Sequence, residues 1–315
     1  MTKAAVTNTA ASVHARLLNR AKAEGRPFNE LLQYYVMERF LYRLSQSEYA
    51  NRFVLKGALM LQLWGGSLSR STKDIDLLGL SSATVEELVQ AIQQCLATDV
   101  GDDGLNFDRS SVQGEQIRLD AHYEGIRIHA HASLGNARIK LQIDVGFGDV
   151  VTPEVREVVY PALLDSETPR LLGYTPETSI AEKLHAAVIL DIANTRLKDF
   201  LDIWILIQEQ DFSGSVLSEA IKATFQRRRT PLPESTPAAF TPTFYSAPRK
   251  QAQWRAYLRK ARVQGEVPSL DEVAQQIEAF VMPVVRAIVA GEAFTKRWRP
   301  GGPWGDRSLG PTTGV

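Results

Sequence analysis

The chain has 315 residues, of which 44% are apolar, 23% charged and 8% aromatic, the composition of one or two globular domains with a sizeable core. This excludes a disordered or collagen-like chain, and the single cysteine, Cys95, excludes an internal disulfide and any multi-cysteine metal site. Formal charge sums to zero, but the signs are segregated: residues 149–219 hold 13 acids against 5 bases, and residues 222–262 hold 10 bases against one acid, Glu234.

A net of +9 over 222–262 points to a polyanionic partner for that segment, against the blander reading of a solvated face. No apolar run approaches the roughly 20 residues that span a bilayer. Residues 1–9 offer no apolar secretion core. The sequence therefore predicts a cytoplasmic protein without membrane contact.

In chain order, apolar residues recur at three- and four-residue steps over 12–23 and 28–47 (Leu31, Leu32, Tyr35, Val36, Phe40, Leu41, Leu44), which is a helical period. Residues 53–56 read as a strand ending at Gly57, and 58–64 as a short helix stopped by Gly65-Gly66. Over 73–80, polar and apolar residues alternate as in a strand. Thr84 and Glu87 have capping-box spacing and open the next helix. Residues 101–114 read as loop. Strands follow at 118–123, 126–134 and 137–145, with turns at Glu124-Gly125 and Gly135-Asn136. Helices are expected at 179–193, 197–208 and 217–227, then a proline-rich loop over 230–248. Ser269 and Glu272 open a last helix that bends near Pro283, and the stretch from Pro300 has no periodicity and reads as a mobile tail.

The chemistry concentrates between Lys56 and Leu77. In Asp74-x-Asp76 on a strand, both carboxylates share a face with Cβ atoms roughly 6–7 Å apart, an arrangement that repels itself unless a cation intervenes. Mg²⁺ suits it, taking one or two carboxylates together with phosphate oxygens. The preceding run, Gly66-Ser67-Leu68-Ser69-Arg70-Ser71-Thr72, offers backbone and hydroxyl donors for phosphate. Asp144 points away from Leu141, Ile143 and Val145 on its own strand; if that strand lies beside Asp74–Asp76, three carboxylates converge, as two-metal phosphoryl or nucleotidyl transfer requires. Asp-x-Asp alone is common by chance. The strand context, the glycine/serine lead-in and the later acid together favour a metal site.

Gly66-Ser67-x-x-Arg70-Ser71-Thr72-Lys73-Asp74-Ile75-Asp76-Leu77, preceded by Val54-Leu55-Lys56-Gly57-Ala58, resembles the AbiEii/MenT-type toxins of bacterial type IV-like toxin–antitoxin systems, within the DNA polymerase β-like nucleotidyltransferase superfamily. Ile180-Ala181-Glu182-Lys183-Leu184-His185 resembles the family's lysine-bearing helix. Arg196-Leu197-Lys198-Asp199-Phe200-Leu201-Asp202 resembles its Lys-Asp-x-x-Asp motif. The resemblance runs from about residue 50 to 210 and departs at Ala58, where many relatives have glycine.

The resemblance implies an α+β fold: N-terminal helices (1–50), a nucleotidyltransferase core of mixed sheet and flanking helices (51–176), an all-helical domain completing the site (177–299), and the tail (300–315). It implies Asp74, Asp76 and Asp144 as catalytic metal ligands for Mg²⁺, and an NTP substrate bound through Lys56, Gly66, Ser67, Arg70, Ser71, Thr72 and Asp199. Lys183 would neutralise a phosphate, against the alternative of a lysine snorkelling at a helix edge. Asp202 would position Lys183 or the nucleotide, or act as a base. Either the Gly57 or the Gly66 loop could hold phosphate. The implied reaction adds nucleotides to the 3′ CCA end of tRNA, blocking aminoacylation and translation and inhibiting growth. The basic segment 222–262, with Tyr245, Trp254 and Tyr257 among its cations, would hold RNA, and a cognate antitoxin encoded nearby would be the other partner. The alternatives are transfer to a protein or small-molecule hydroxyl, or a degenerate nucleotide- or antitoxin-binding module. His129, His131 and Cys95 read as packed residues rather than ligands or nucleophiles, and His185, beside Lys183, could face either the core or the site.

Overall fold

The computed structural model describes residues 8–65, 70–120, 123–261, 263 and 265–306. The chain divides into two compact units: residues 1–59, 72–148 and 156–173 form the first, and residues 60–71, 149–155 and 174–315 the second.

The first unit begins with two helices, α1 (Thr9–Glu24) and α2 (Phe28–Gln46). Then come β1 (Phe53–Lys56), the start of α3 (Ala58–Trp64), β2 (Asp74–Gly79) and α4 (Val85–Ala97). Three long strands follow, β3 (Leu105–Asp120), β4 (Tyr123–Leu134) and β5 (Ala137–Phe147), with β6 (Arg156–Val159) and β7 (Arg170–Gly173) completing the sheet. Seven strands lie in the order β3-β4-β5-β2-β1-β7-β6. The pairs β2–β5 and β1–β7 are parallel and the others antiparallel, making a mixed sheet.

Register separates the two faces of this sheet. Ile128, Ile143 and Ile75 are successive partners across three strands, as are Ile126, Val145 and Leu77. All six are buried, on the side where α2 packs against β5 and α4 against β3. Because side chains alternate along each strand, the intervening residues present polar groups on the opposite face. Thr84 caps α4 in the expected capping box, its hydroxyl accepting from the Glu87 amide.

Two expectations fail here. Residues 105–114 are strand, not loop: Leu105 to Asp108 pair with β4, and pairing resumes at Gln113 after a bulge. The bulge throws off the period-two pattern, which is why the strand does not show as an alternation. Glu124 and Gly125 are not a turn but lie within β4, opposite Arg118 and Ile117. The residues joining β3 to β4, 121 and 122, are outside the described residues.

The second unit is largely helical: α5 (Pro176–Leu190), α6 (Leu197–Glu209), α7 (Gly214–Arg227), the short α8 (Pro242–Tyr245), α9 (Pro248–Ala261) and α10 (Leu270–Ala290). Thr175 caps α5 with Pro176 in its first turn, and Ser269 caps α10 through a capping box with Glu272. By length and mean hydropathy α10 could cross a membrane. Its apolar stripe instead joins the core with Phe200, Ile203 and Phe225 of α6 and α7.

The unit is not wholly helical. Three two-residue strands, β8 (Phe212–Ser213), β9 (Arg297–Trp298) and β10 (Trp304–Gly305), form a small sheet. Residues 300–306 are therefore ordered, where the sequence predicts a mobile tail. Aromatic packing is the cause: the Trp304 ring stacks on Phe280 at 5.2 Å between centroids, and its Nε1 donates to the Phe280 carbonyl.

Candidate active site

Asp74 and Asp76 sit two apart on β2 and so share a face. In the parallel β2–β5 register, Asp76 is the direct partner of Asp144, and the three carboxylates offer ligand atoms all within 4.8 Å of one another. Three hard oxygen donors at this separation fit a divalent cation of the Mg²⁺ type. Asp144 is buried, whereas Asp74 and Asp76 remain partly exposed.

The same row continues on both sides. Lys56 is the β1 partner of Asp76, and Arg127 is the β4 partner of Asp144, with Glu115 beyond it on β3. Across five strands the face thus reads Glu115, Arg127, Asp144, Asp76, Lys56. Arg127 donates Nε to Asp144 Oδ1 at 2.8 Å and Nη2 to Oδ2 at 2.7 Å, a bidentate fork. Arg127 is not among the residues that the sequence motifs mark. The Gly135-Asn136 turn carries the signal, because counting outward from that two-residue turn sets Arg127 opposite Asp144.

Gly57 supports the row from below. Its φ is +70°, and a Cβ there would overlap the Asp76 carboxylate, so only glycine leaves the acid room. Ala58, where many relatives have glycine, starts α3 and is buried. It is not among the positive-φ positions, so alanine meets no backbone strain there. Thr72 is buried, its amide donating to Tyr34 Oη and its hydroxyl to the Asp74 carboxylate.

A second polar cluster lies within the second unit. Asp202, fully buried on α6, accepts from Arg70 Nε at 2.6 Å, Arg70 Nη2 at 3.0 Å and Lys183 Nζ at 2.8 Å. Lys183 also donates to Asp199 Oδ1 at 3.3 Å, and Asp199 is ion-paired with Arg196 at 2.6 Å. Burial alone would raise the Asp202 carboxyl, but Arg70 and Lys183 overcome it and hold that carboxyl well below the usual range. Burial likewise works against the Lys183 ammonium, and Asp202 and Asp199 outweigh it and raise its pKa. Ser71 is spent on α9, its amide and hydroxyl both donating to the Ala261 carbonyl at 3.5 and 3.3 Å. Gly66 and Ser67 lie outside the described residues.

The basic segment 222–262 is only partly a surface. Arg229, Arg249, Arg255, Arg259 and Lys260 are exposed, whereas Arg228 is bound to Asp149 at 3.1 Å. Tyr245 and Trp254 are buried and cannot stack on bases, which corrects the aromatic part of the sequence reading. Tyr245 at the end of α8 and Trp254 on α9 both belong to the core of the second unit. Cys95 is buried, and burial pushes its thiol up to about 11, unlike a nucleophile. His185 is held by Thr230 at 2.9 Å.

The profile of the family described as the nucleotidyl transferase AbiEii toxin of type IV toxin–antitoxin systems matches residues 39–276. Among solved structures, JHP933 from Helicobacter pylori shares 14% identity over 84% of this chain and 94% of its own, with a TM-score of 0.47. Another H. pylori structure, provisionally described as a nucleotidyltransferase, shares 14% identity over 84% of this chain and 99% of its own, with a TM-score of 0.48. No curated protein matches the chain.

Proposed function

The chain belongs to the AbiEii family of nucleotidyl transferase toxins, and on that premise we propose that it is a Mg²⁺-dependent enzyme of the cytoplasm that transfers nucleotides from NTP to the 3′ CCA end of tRNA. Family membership also implies a cognate antitoxin. The observation that carries the reading is the pairing of Asp76 with Asp144 beside Asp74 on neighbouring parallel strands. Such a group, in a nucleotidyltransferase family, is built to hold divalent cations against phosphate oxygens.

Asp74, Asp76 and Asp144 would hold the metal, which when bound supplies Lewis-acid stabilisation of charge on the transferring phosphate. Thr72 fixes the Asp74 carboxylate and Gly57 leaves space for that of Asp76. In the reaction, the acceptor 3′-hydroxyl gives its proton to solvent water and its oxygen bonds the α-phosphorus, while the bond from that phosphorus to the oxygen bridging to the β-phosphorus breaks and pyrophosphate leaves. Lys183, oriented by Asp199 and Asp202, offers its positive charge to the NTP phosphates. Asp202, kept ionised by two cations, is an anchor for Arg70 and Lys183, because a useful general base has a pKa near the working pH. Modified tRNA could not be aminoacylated, and translation and growth would stop.

An RNA acceptor is favoured by the exposed cations of α9, a helix that carries no acidic residue. Binding through phosphates alone makes affinity fall steeply with salt. The test is incubation of purified protein with each labelled NTP, Mg²⁺ and total tRNA. Label at the tRNA 3′ end supports the proposal. Label on protein moves the acceptor to a protein hydroxyl, and absence of label with all four NTPs refutes transfer.

A further inference from the structure

One buried polar atom in the second unit has no role in what is described above. Tyr257 lies on α9, and its hydroxyl is shielded from solvent and makes no hydrogen bond among the described residues. A buried hydroxyl without a partner is costly and uncommon in folded proteins. A phenylalanine would fill the same space without that cost, so the oxygen calls for an explanation.

Its surroundings supply one. Ala261 is one turn further along α9, on the same side as Tyr257, and its carbonyl receives both bonds from Ser71. This docks the Tyr257 face of α9 against the segment that carries Arg70. The hydroxyl is close enough to feel the charges of Arg70, Asp202 and Asp199. Burial keeps it protonated well above neutral pH, so it is available as a donor.

The cluster beside it brings two cations together. Arg70 and Lys183 both bond to the one Asp202 carboxylate, and Lys183 also to Asp199. Arg70 spends Nε and Nη2 on Asp202. Two neighbouring cations and an unused donor, all largely withdrawn from water, are complementary to an anion carrying several acceptor oxygens.

We propose that Tyr257 is a further substrate-binding residue, its partnerless hydroxyl donating to a phosphate oxygen of the nucleotide beside the Arg70–Asp202–Lys183 cluster. The inference rests on the nucleotidyltransferase reading and extends it to a residue outside the motifs that define the family resemblance. It also gives α9 two distinct sides: exposed cations outward, and one tyrosine hydroxyl inward for the triphosphate.

The experiment compares the wild-type protein with Tyr257→Phe by calorimetric titration with non-hydrolysable NTP analogues, inorganic triphosphate and tRNA, alongside thermal melts. A lost hydrogen bond to a charged group predicts a roughly tenfold or larger rise in Kd for the NTP analogue and for inorganic triphosphate. Affinity for tRNA should be unchanged, and the melting temperature unchanged or higher. Equal nucleotide affinity in the two proteins would overturn the assignment while leaving nucleotidyl transfer intact. So would a lower melting temperature of Tyr257→Phe, which would give the hydroxyl a structural partner, or a loss confined to tRNA. If the wild-type protein binds none of the four analogues, the reading beneath the proposal fails and takes the proposal with it.

Discussion

Arg127 and Asp144 are direct partners across β4 and β5, joined by a two-pronged ion pair that neutralises one of three clustered carboxylates. The pair lessens the repulsion among the three acids. It also sets a competition, because a cation held by Asp144 draws on the oxygens that Arg127 uses.

Arg127→Gln should therefore destabilise the metal-free protein, by about 1–2 kcal/mol, less than a fully buried pair would cost because the arginine is partly exposed. Adding millimolar Mg²⁺ or Mn²⁺ should recover much of that loss, since the metal replaces the missing positive charge. Urea unfolding of both proteins with and without metal measures it. A gap that metal does not narrow would mean the triad does not bind the ion.

Gly57 and Ala58 make opposite predictions despite being neighbours. Gly57→Ala forces a side chain into left-handed backbone, costing about 1–2 kcal/mol, and pushes the Asp76 carboxylate aside. It should abolish transfer and lower the melting temperature. Ala58→Gly only loosens the first turn of α3, by about 1 kcal/mol at most, and should stay active. Transfer assays on both variants decide the matter, and an active Gly57→Ala would show that Asp76 does not need its observed position.

Much of the first unit was legible because the signals are local. The Asp74–Asp76 alternation, the Thr84 cap and the Gly135-Asn136 turn each lie within a few residues, and the strands and helix they mark are present. Two failures, one in each unit, came from pairing and packing that no short stretch of sequence shows. The bulge between Asp108 and Gln113 obscures β3, and Trp304 is ordered by Phe280, 24 residues away. In the site, residue types pointed to Asp74, Asp76 and Asp144. The partnering of Arg70 with Asp202, 132 residues apart, is set by tertiary packing and has no sequence period to announce it.

Thr72 links the two levels, being a strand-entry residue whose hydroxyl donates to the Asp74 carboxylate. Thr72→Ser keeps that donor and should keep near-normal transfer. Thr72→Val keeps the shape, removes the donor and should slow transfer roughly tenfold, as loss of about 1.4 kcal/mol of positioning would. Thr72→Glu adds a negative charge beside Asp74 and should be inactive. Single-turnover rates for the three variants test this ranking, and a normal rate for Thr72→Glu would reduce the residue to strand geometry.

Asp202 separates an anchor from a base through pH. Its carboxyl is held well below the usual range, so the stability it contributes is fully present above the unfolded value of about 4 and is lost only as pH falls toward its folded value. Lys183 is shifted upward, so its contribution persists below about pH 10 and is lost only at more alkaline pH. Between pH 5 and 8 neither group changes charge. Asp202→Asn removes the negative charge that two buried cations share and puts an amide donor in place of one accepting oxygen, and should cost about 3–5 kcal/mol. That deficit should be flat from pH 5 to 8 and shrink only below about pH 4, where the wild-type carboxyl loses its advantage. Denaturant unfolding across this range provides the measurement. A deficit that closes between pH 5 and 8 would mean that Asp202 takes up a proton near neutrality, and would return it to the role of general base.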